Sequence, residues 1–406
     1  MSSNEWCTVK LGDIIIFNPR ESLSKKQVAK KIAMEKLKPF TKFIDDYELA
    51  EFNGGTKFRN GDTILARITP CLENGKTSQV TILDKNEVGF GSTEYIVLRE
   101  KIGVTNKDYI FYLSISPKFR DIAIKSMVGS SGRQRVQQNV LEGTEILLPP
   151  ISEQNSIAET LSCMDSKIEI NNRMNKTLEK IAQAIFKSWF IDFEPFQEGE
   201  FDESELGSIP RGWSLKTIYD FAEFINGTSF KKDEYSDSGC PIVKITELKN
   251  GISSATQYFS GKKDEKYFIK TGDILFSWSG NPQTSIDTFI WVGGHAILNQ
   301  HTFKVSIKNN DYCFIYLLLK FFKPEFTRIA SSKQTTGLGH VTVGDLKRLK
   351  FPYNKKAIAE FCNILNPVIQ MYTNNLLENG NLYKIRDSLI PKLMSGEIKL
   401  PAEEVQ

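Results

Sequence analysis

The sequence predicts an α+β protein: two pseudo-symmetric mixed α/β domains separated by a long antiparallel coiled coil of two helices. Three observations carry the prediction. Short phrases recur in the same order in both halves of the 406 residues. Each half ends in an apolar stripe with alternating steps of three and four, the signature of a coiled-coil seam. Both stripes carry asparagines at matching places.

The first domain is expected over 1–150. "LGDIIIF", "DTILARI", "SQVTILD" and "EYIVLRE" are short β-branched runs bounded by Gly, Asn and Pro, which read as strands. "YIFYLSISPKFRDIAI" (109–124) reads as helix interrupted at Pro117. Residues 151–191 form the first coiled-coil helix, and 192–212 an exposed acidic linker with seven carboxylates before Arg211. The second domain spans 213–352, the second helix 353–398, and 399–406 a loose tail.

Order is what makes the repeat convincing. "TVKLGDIIIF" after Trp6 answers "SLKTIYDFAEF" after Trp213, and "FRNGDTIL" answers "FIKTGDILF". "KDYIFYL" (107–113) answers "NDYCFIYLL" (310–318), and "VLEGTEILLPP" (140–150) answers "VTVGDLKRLKFP" (341–352).

In the first helix the seam reads Ile157, Leu161, Met164, Ile168, Asn171, Asn175, Leu178, Ala182, Ile185 and Trp189. In the second it reads Phe361, Leu365, Val368, Tyr372, Asn375, Asn379, Leu382, Arg386, Leu389 and Leu393, every pair offset by 204 residues. A polar seam residue must meet a polar partner, which fixes register. Two pairs at equivalent places favour an antiparallel pair crossing near its midpoint, amides facing amides; the alternative is a local break in each helix. Pro367 and Pro391 are expected to interrupt the second helix or to mark its ends. A strut of ~35 residues would be ~50 Å long at 1.5 Å per residue.

Composition narrows the chemistry. A net charge of +3 is neutral on partners. The six cysteines lie far apart without a CxxC pair, and the three histidines lack ligand-like neighbours, so neither a metal site nor a disulfide framework is expected, and a reducing cytoplasm fits. The start, "MSSNEWCTVK", has no apolar signal core, and "CFIYLLLKFF" (313–322) is too short to span a bilayer. "ENGKTS" (73–78) resembles the end of a phosphate-binding loop, but Pro70 stands where that loop needs glycine. No catalytic constellation is evident, and the simplest reading is a duplicated binding protein.

Nucleic acid is the favoured ligand. The stretch 20–42 holds eight Lys/Arg against two Glu, among them Arg20, Lys25 and Lys26. "GSSGRQRVQQN" (129–139) brings Arg133, Gln134, Arg135, Gln137, Gln138 and Asn139 together among small residues. Its counterpart "SSKQTTGLGH" (331–340) offers Lys333, Gln334, Thr335, Thr336 and His340. A second matched pair, "ARITPCLENGK" (66–76) and "SWSGNPQTS" (277–285), adds Arg67, Lys76, Asn281 and Gln283. Arg and Gln pair bidentately with guanine and adenine edges, while Lys and Ser serve phosphates. Equivalent loops with different residues suit two different half-sites. The alternative is a coiled-coil scaffold holding protein partners without DNA readout.

Three phrases, "LEKIAQAIFKSWFIDFEPF" (178–196), "LGSIPRGW" (206–213) and "LIPKLMSGEI" (389–398), resemble recurring phrases of the specificity subunit of type I restriction–modification systems. "FNGGTKFRNGDTILARITPCLENGK" and "TGLGHVTVGDLKRLKFP" resemble segments of that family's target-recognition domains. The resemblance implies two target-recognition domains, 1–150 and 213–352, each reading one half of a bipartite, asymmetric site on double-stranded DNA. It implies that the helices set the spacer and dock two methyltransferase subunits, which methylate adenine after flipping it out of the duplex. Motor-nuclease subunits complete the restriction enzyme. The chain itself would be non-catalytic, with S-adenosylmethionine, ATP and Mg on partner subunits only.

Overall fold

The computed structural model describes residues 5–253, 255–307, 311–334 and 337–400. Two compact units divide the chain: unit one is Met1–Ile170 with Asn381–Gln406, and unit two is Asn171–Gly380. Each unit holds one half of the first long helix, Ile151–Phe190, and part of the second, Lys355–Ser395, of which the longer part lies in unit two.

The repeat is a repeat of topology. In unit one a four-stranded antiparallel sheet runs in the order Ile15–Phe17, Tyr95–Glu100, Thr63–Ala66, Thr77–Gln79. Unit two repeats it as Glu223–Asn226, Thr302–Ser306, Ile274–Ser277, Asp287–Ile290. A second sheet in each unit contains one parallel pair, Val28–Ile32 with Gly89–Gly91 and Cys240–Val243 with Ala296–Leu298. A third ladder closes each domain by joining its first strand to its last, Cys7–Lys10 to Glu145–Leu148 and Ser214–Thr217 to Lys350–Tyr353.

The echo "NGDTIL" and "TGDILF" is one turn built twice. Gly61 and Gly272 sit at φ 91° and 94°, where a Cβ is disfavoured. Asp62 and Asp273 accept the backbone N–H groups of Arg59 at 2.7 Å and Lys270 at 2.9 Å. Each carboxylate also pairs with a cation of the neighbouring strand, Arg99 at 2.6 Å and Lys304 at 3.2 Å. Of the runs expected as strands, "LGDIIIF" begins as a short helix, Leu11–Ile14, before its strand, and "SQVTILD" is strand only at its start. The helical reading of 109–124 holds: Lys107–Ile115 and Pro117–Lys125 flank a cap at Ser116.

The helices pair antiparallel within each unit. In unit one Ile157 and Leu161 of the first helix share a core with Ile390 and Leu393 near the end of the second. In unit two Ala182, Phe186 and Phe190, late in the first helix, share a core with Phe361, Leu365 and Ile369, early in the second. The seam asparagines meet in unit two as amide pairs. Asn171 donates to Asn379 at 2.9 Å, and Asn375 donates to Asn175 at 2.9 Å. Asn175 also donates to the Tyr372 carbonyl at 3.2 Å, and Asn379 to Asn172 at 2.9 Å.

One expectation needs correcting. Pro367 and Pro391 neither end nor interrupt the second helix, which runs through both. Each proline is exposed, and so are Asn363 and Asp387, whose carbonyls lose their helical donor; water can serve them there. The acidic stretch after the first helix is mostly exposed, as expected, but it is not without secondary structure. It carries a hairpin, Phe201–Ser204 paired with Gly207–Pro210, clasped by Arg211 against Glu200 and Asp202. Phe193 and Phe196 hold it edge-on to Trp213, with ring centroids 5.5 Å and 5.1 Å apart. Aromatic anchoring offsets the low hydrophobicity of its acidic surface.

Candidate nucleic-acid interface

The two loop pairs singled out by sequence come together in each unit, by the same backbone bonds. In unit one the Val136 N–H donates to the Arg67 carbonyl at 2.9 Å, and the Arg67 N–H to the Glu94 carbonyl at 2.9 Å. In unit two the Val341 N–H donates to the Trp278 carbonyl at 2.8 Å, and the Trp278 N–H to the His301 carbonyl at 3.4 Å. Thr69 N–H meets the Gln134 carbonyl in unit one, and Ser279–Gly280 pairs with Gly339–His340 in unit two. Gly339 is required there, since a Cβ would fall 2.1 Å from the Ala330 carbonyl oxygen.

On this common frame the side chains differ. Unit one presents Arg67, Glu94 and Arg135. Arg135 grips Glu94 through Nε at 3.0 and 2.9 Å and through Nη2 at 2.6 Å, and its hydrogen bonds hold the Glu94 carboxyl below the usual carboxylate range. Arg67 adds positive charge beside the same carboxylate, while its own buried Nε has no partner. Unit two presents Trp278, His301 and His340 in place of the charges. The Trp278 indole N–H donates to Asn226 at 3.0 Å, its ring lies 5.9 Å from His301 and 5.7 Å from Phe303, and Gln300 stands 3.5 Å from the His301 ring nitrogen.

The remaining candidates separate into exposed and engaged groups. Arg20, Lys25, Lys26, Arg133, Gln134, Asn139, Gln283 and Gln334 are exposed. Lys76 is half-buried and donates to the Met34 carbonyl at 2.9 Å. Lys333 is held by Asp345, which also caps the turn at Thr342. Gln137 donates to the Arg135 carbonyl at 3.2 Å, and Gln138 accepts from Asn18 at 2.7 Å. Asn281 spends its carbonyl oxygen on the N–H groups of Gln283 and Thr284. Thr335 and Thr336 lie outside the described residues. The basic run 20–42 is largely neutralised: Lys30, Lys31, Lys36, Lys38 and Lys42 pair with carboxylates, leaving Arg20, Lys25 and Lys26 as its unpaired cations among the described residues.

Sequence reasoning missed Glu94, Trp278, Asn226 and His301. The signal was present in the repeat, since "GSTEY" (91–95) stands opposite "NQHTF" (299–303), and "IIIFN" opposite "EFIN".

The chain as a whole is similar to known proteins. The family profile described as type I restriction modification DNA specificity domain covers residues 3–180 and 210–380. The chain is similar to the type I restriction enzyme MjaIX specificity subunit of Methanocaldococcus jannaschii, 31% identical over 314 residues, 74% of this chain and 71% of that one. It is 23% identical to the type I restriction enzyme HindI specificity subunit of Haemophilus influenzae, with 84% and 87% of the two chains covered. A crystal structure of the type I restriction–modification system S subunit from M. genitalium shares the fold, with a TM-score of 0.54 at 17% identity, covering 97% of each chain. With both repeats matched, the chain belongs to the type I restriction–modification DNA specificity family.

Proposed function

We propose that this chain directs a type I restriction–modification complex to a bipartite DNA site, with residues 1–150 reading one half and 213–352 the other. The supporting observation is the pair of loop clusters: identical backbone bonds at Arg67–Glu94–Val136 and Trp278–His301–Val341, with different side chains on them. A duplicated frame with unlike contents reads two unlike half-sites. Exposed Arg20, Lys25, Lys26 and Arg133 supply phosphate contacts in the first domain.

The long helices fix the spacing and dock two methyltransferase subunits, which carry S-adenosylmethionine. Met174, Ile181, Ile364 and Met371, all in unit two, stay substantially exposed on the outer surfaces of the helices, apolar surface suited to a partner. The chain contributes recognition, and the chemistry resides on the partners, with ATP and Mg on the motor-nuclease subunits.

Exchange of residues 213–352 for the equivalent domain of a relative, followed by methylome sequencing, tests this. One half-site changes while the other half and the spacer stay. A change in both halves, or a complex whose DNA affinity is insensitive to salt, refutes DNA reading and favours a protein scaffold.

A further inference from the structure

We propose that Trp278 is a specificity-determining residue that recognises a thymine methyl group in the half-site read by the second domain. This rests on the DNA reading proposed above and names one contact within it. Trp278 occupies the frame position of Arg67, at the centre of the loop cluster. Its indole N–H is already donated to Asn226, so the ring has no hydrogen-bond donor left to offer a base. It packs on Phe303 and lies beside His301 while remaining half-exposed. A ring tied back at its nitrogen and packed against the sheet is not free to wedge between base pairs. What it presents is a fixed apolar surface.

In the major groove the 5-methyl of thymine is the apolar feature by which base pairs are distinguished. The side chains beside Trp278 and along its own loop, 277–285, fit base edges better than phosphates. Asn226, Asn281, Gln283, Gln300 and His301 are all exposed and carry amides or imidazole. The second domain would therefore discriminate by apolar contact flanked by amides. The first would discriminate through the Arg67, Glu94 and Arg135 charges.

The test uses the complex assembled from this chain with its methyltransferase subunits, on duplexes carrying the site mapped by methylome sequencing. Each thymine of the second-domain half-site is replaced in turn by deoxyuridine. Replacement at one position weakens binding about fourfold, the loss of one buried methyl group. Trp278→Ala binds thymine and uracil duplexes equally at that position, and Trp278→Phe keeps the preference. The slope of log affinity against log salt is unchanged in Trp278→Ala, because no phosphate contact is lost. If Trp278→Ala fails to assemble, Trp278→Gln, whose amide can still donate to Asn226, replaces it. Uracil tolerated at every position, or discrimination surviving in Trp278→Ala, overturns the inference. Absence of any bipartite preference would instead refute the reading on which it rests.

Discussion

In unit one Asp165 of the first long helix meets Arg386 of the second at 2.5 Å, with side chains 4% and 1% exposed. The Tyr112 hydroxyl, from the helix Lys107–Ile115, donates to the other oxygen of Asp165 at 2.7 Å. The positions 204 residues away in the repeat are Ile369 and Ala182, both buried in unit two and neither charged. There the helices are joined by rings: Phe186 lies 5.7 Å from Phe314, 5.6 Å from Phe351 and 5.9 Å from Phe361. Duplication preserved the shape of this junction, a recognition domain seated on two crossing helices, and left its chemistry free to diverge. An ionic junction demands particular geometry, since burial alone would pull the Arg386 guanidinium down; the charges of Asp165 and Asp387 outweigh it and hold it above its usual range. An aromatic junction asks only for volume and a tolerable ring arrangement.

Breaking the ionic junction on one side is expected to have the largest effect. Arg386→Met leaves Asp165 buried without its counter-charge and costs about 3–5 kcal/mol in equilibrium unfolding. The pair Asp165→Leu with Arg386→Met, which gives unit one an apolar junction like that of unit two, recovers most of that loss or exceeds wild type. A double variant as unstable as the single would mean that lost packing, rather than an orphaned charge, is the cost. The aromatic junction answers to volume: Phe186→Ala costs about 3–5 kcal/mol, and Phe186→Leu well under half of that. Similar losses in the two would show that ring geometry matters as much in unit two as charge geometry does in unit one.

Unit two also contains the polar part of the seam, so it permits a sharper comparison. Asn375→Leu removes the donor to Asn175 and leaves a buried amide oxygen unpaired, at about 1–3 kcal/mol. Replacing Asn175 and Asn375 together with Leu restores stability and relaxes register, read as altered spacer length in the methylome. A double variant that keeps a single spacer would place register control elsewhere in the seam.

Periodicity made the asparagine pairs legible, because a helix pair writes its contacts into steps of three and four. Arg386 was legible as an oddity opposite Ala182, but its partner was not. Asp165 lies one residue beyond the seam position Met164, and the Tyr112 that completes the cluster comes from another helix, 53 residues earlier. The two loop clusters were legible as loops and as a matched pair. The roles of Arg135 and Lys333 were not, since the carboxylates that hold them, Glu94 and Asp345, sit 41 residues before one and 12 after the other. The folding of 192–213 was hidden because acidic composition signals solvent, while its anchoring depends on four aromatic rings meeting in space.

Those two loop anchors supply the smallest expected effect and the last contrast between the units. Burial alone would raise the Asp345 carboxyl, but hydrogen bonds from Lys333 and Thr342 overcome it and hold the group below its usual range. Glu94 is lowered by Arg135 in a more open setting, with side chains 23% and 43% exposed against 5% and 32% for Asp345 and Lys333. Both folded-state values are depressed. Each group therefore contributes stability that is fully present above the unfolded carboxylate range and is lost as pH falls through the folded value. Unfolding free energies followed from about pH 6 to about pH 3 should fall less steeply in Asp345→Asn than in wild type. Glu94→Gln should change that slope by less, since solvent limits an exposed pair to about 0.2–1 kcal/mol. If Glu94→Gln flattens the profile more than Asp345→Asn, the loop of unit one is the more firmly tethered of the two, and rigidity in the matched loops follows charge rather than burial.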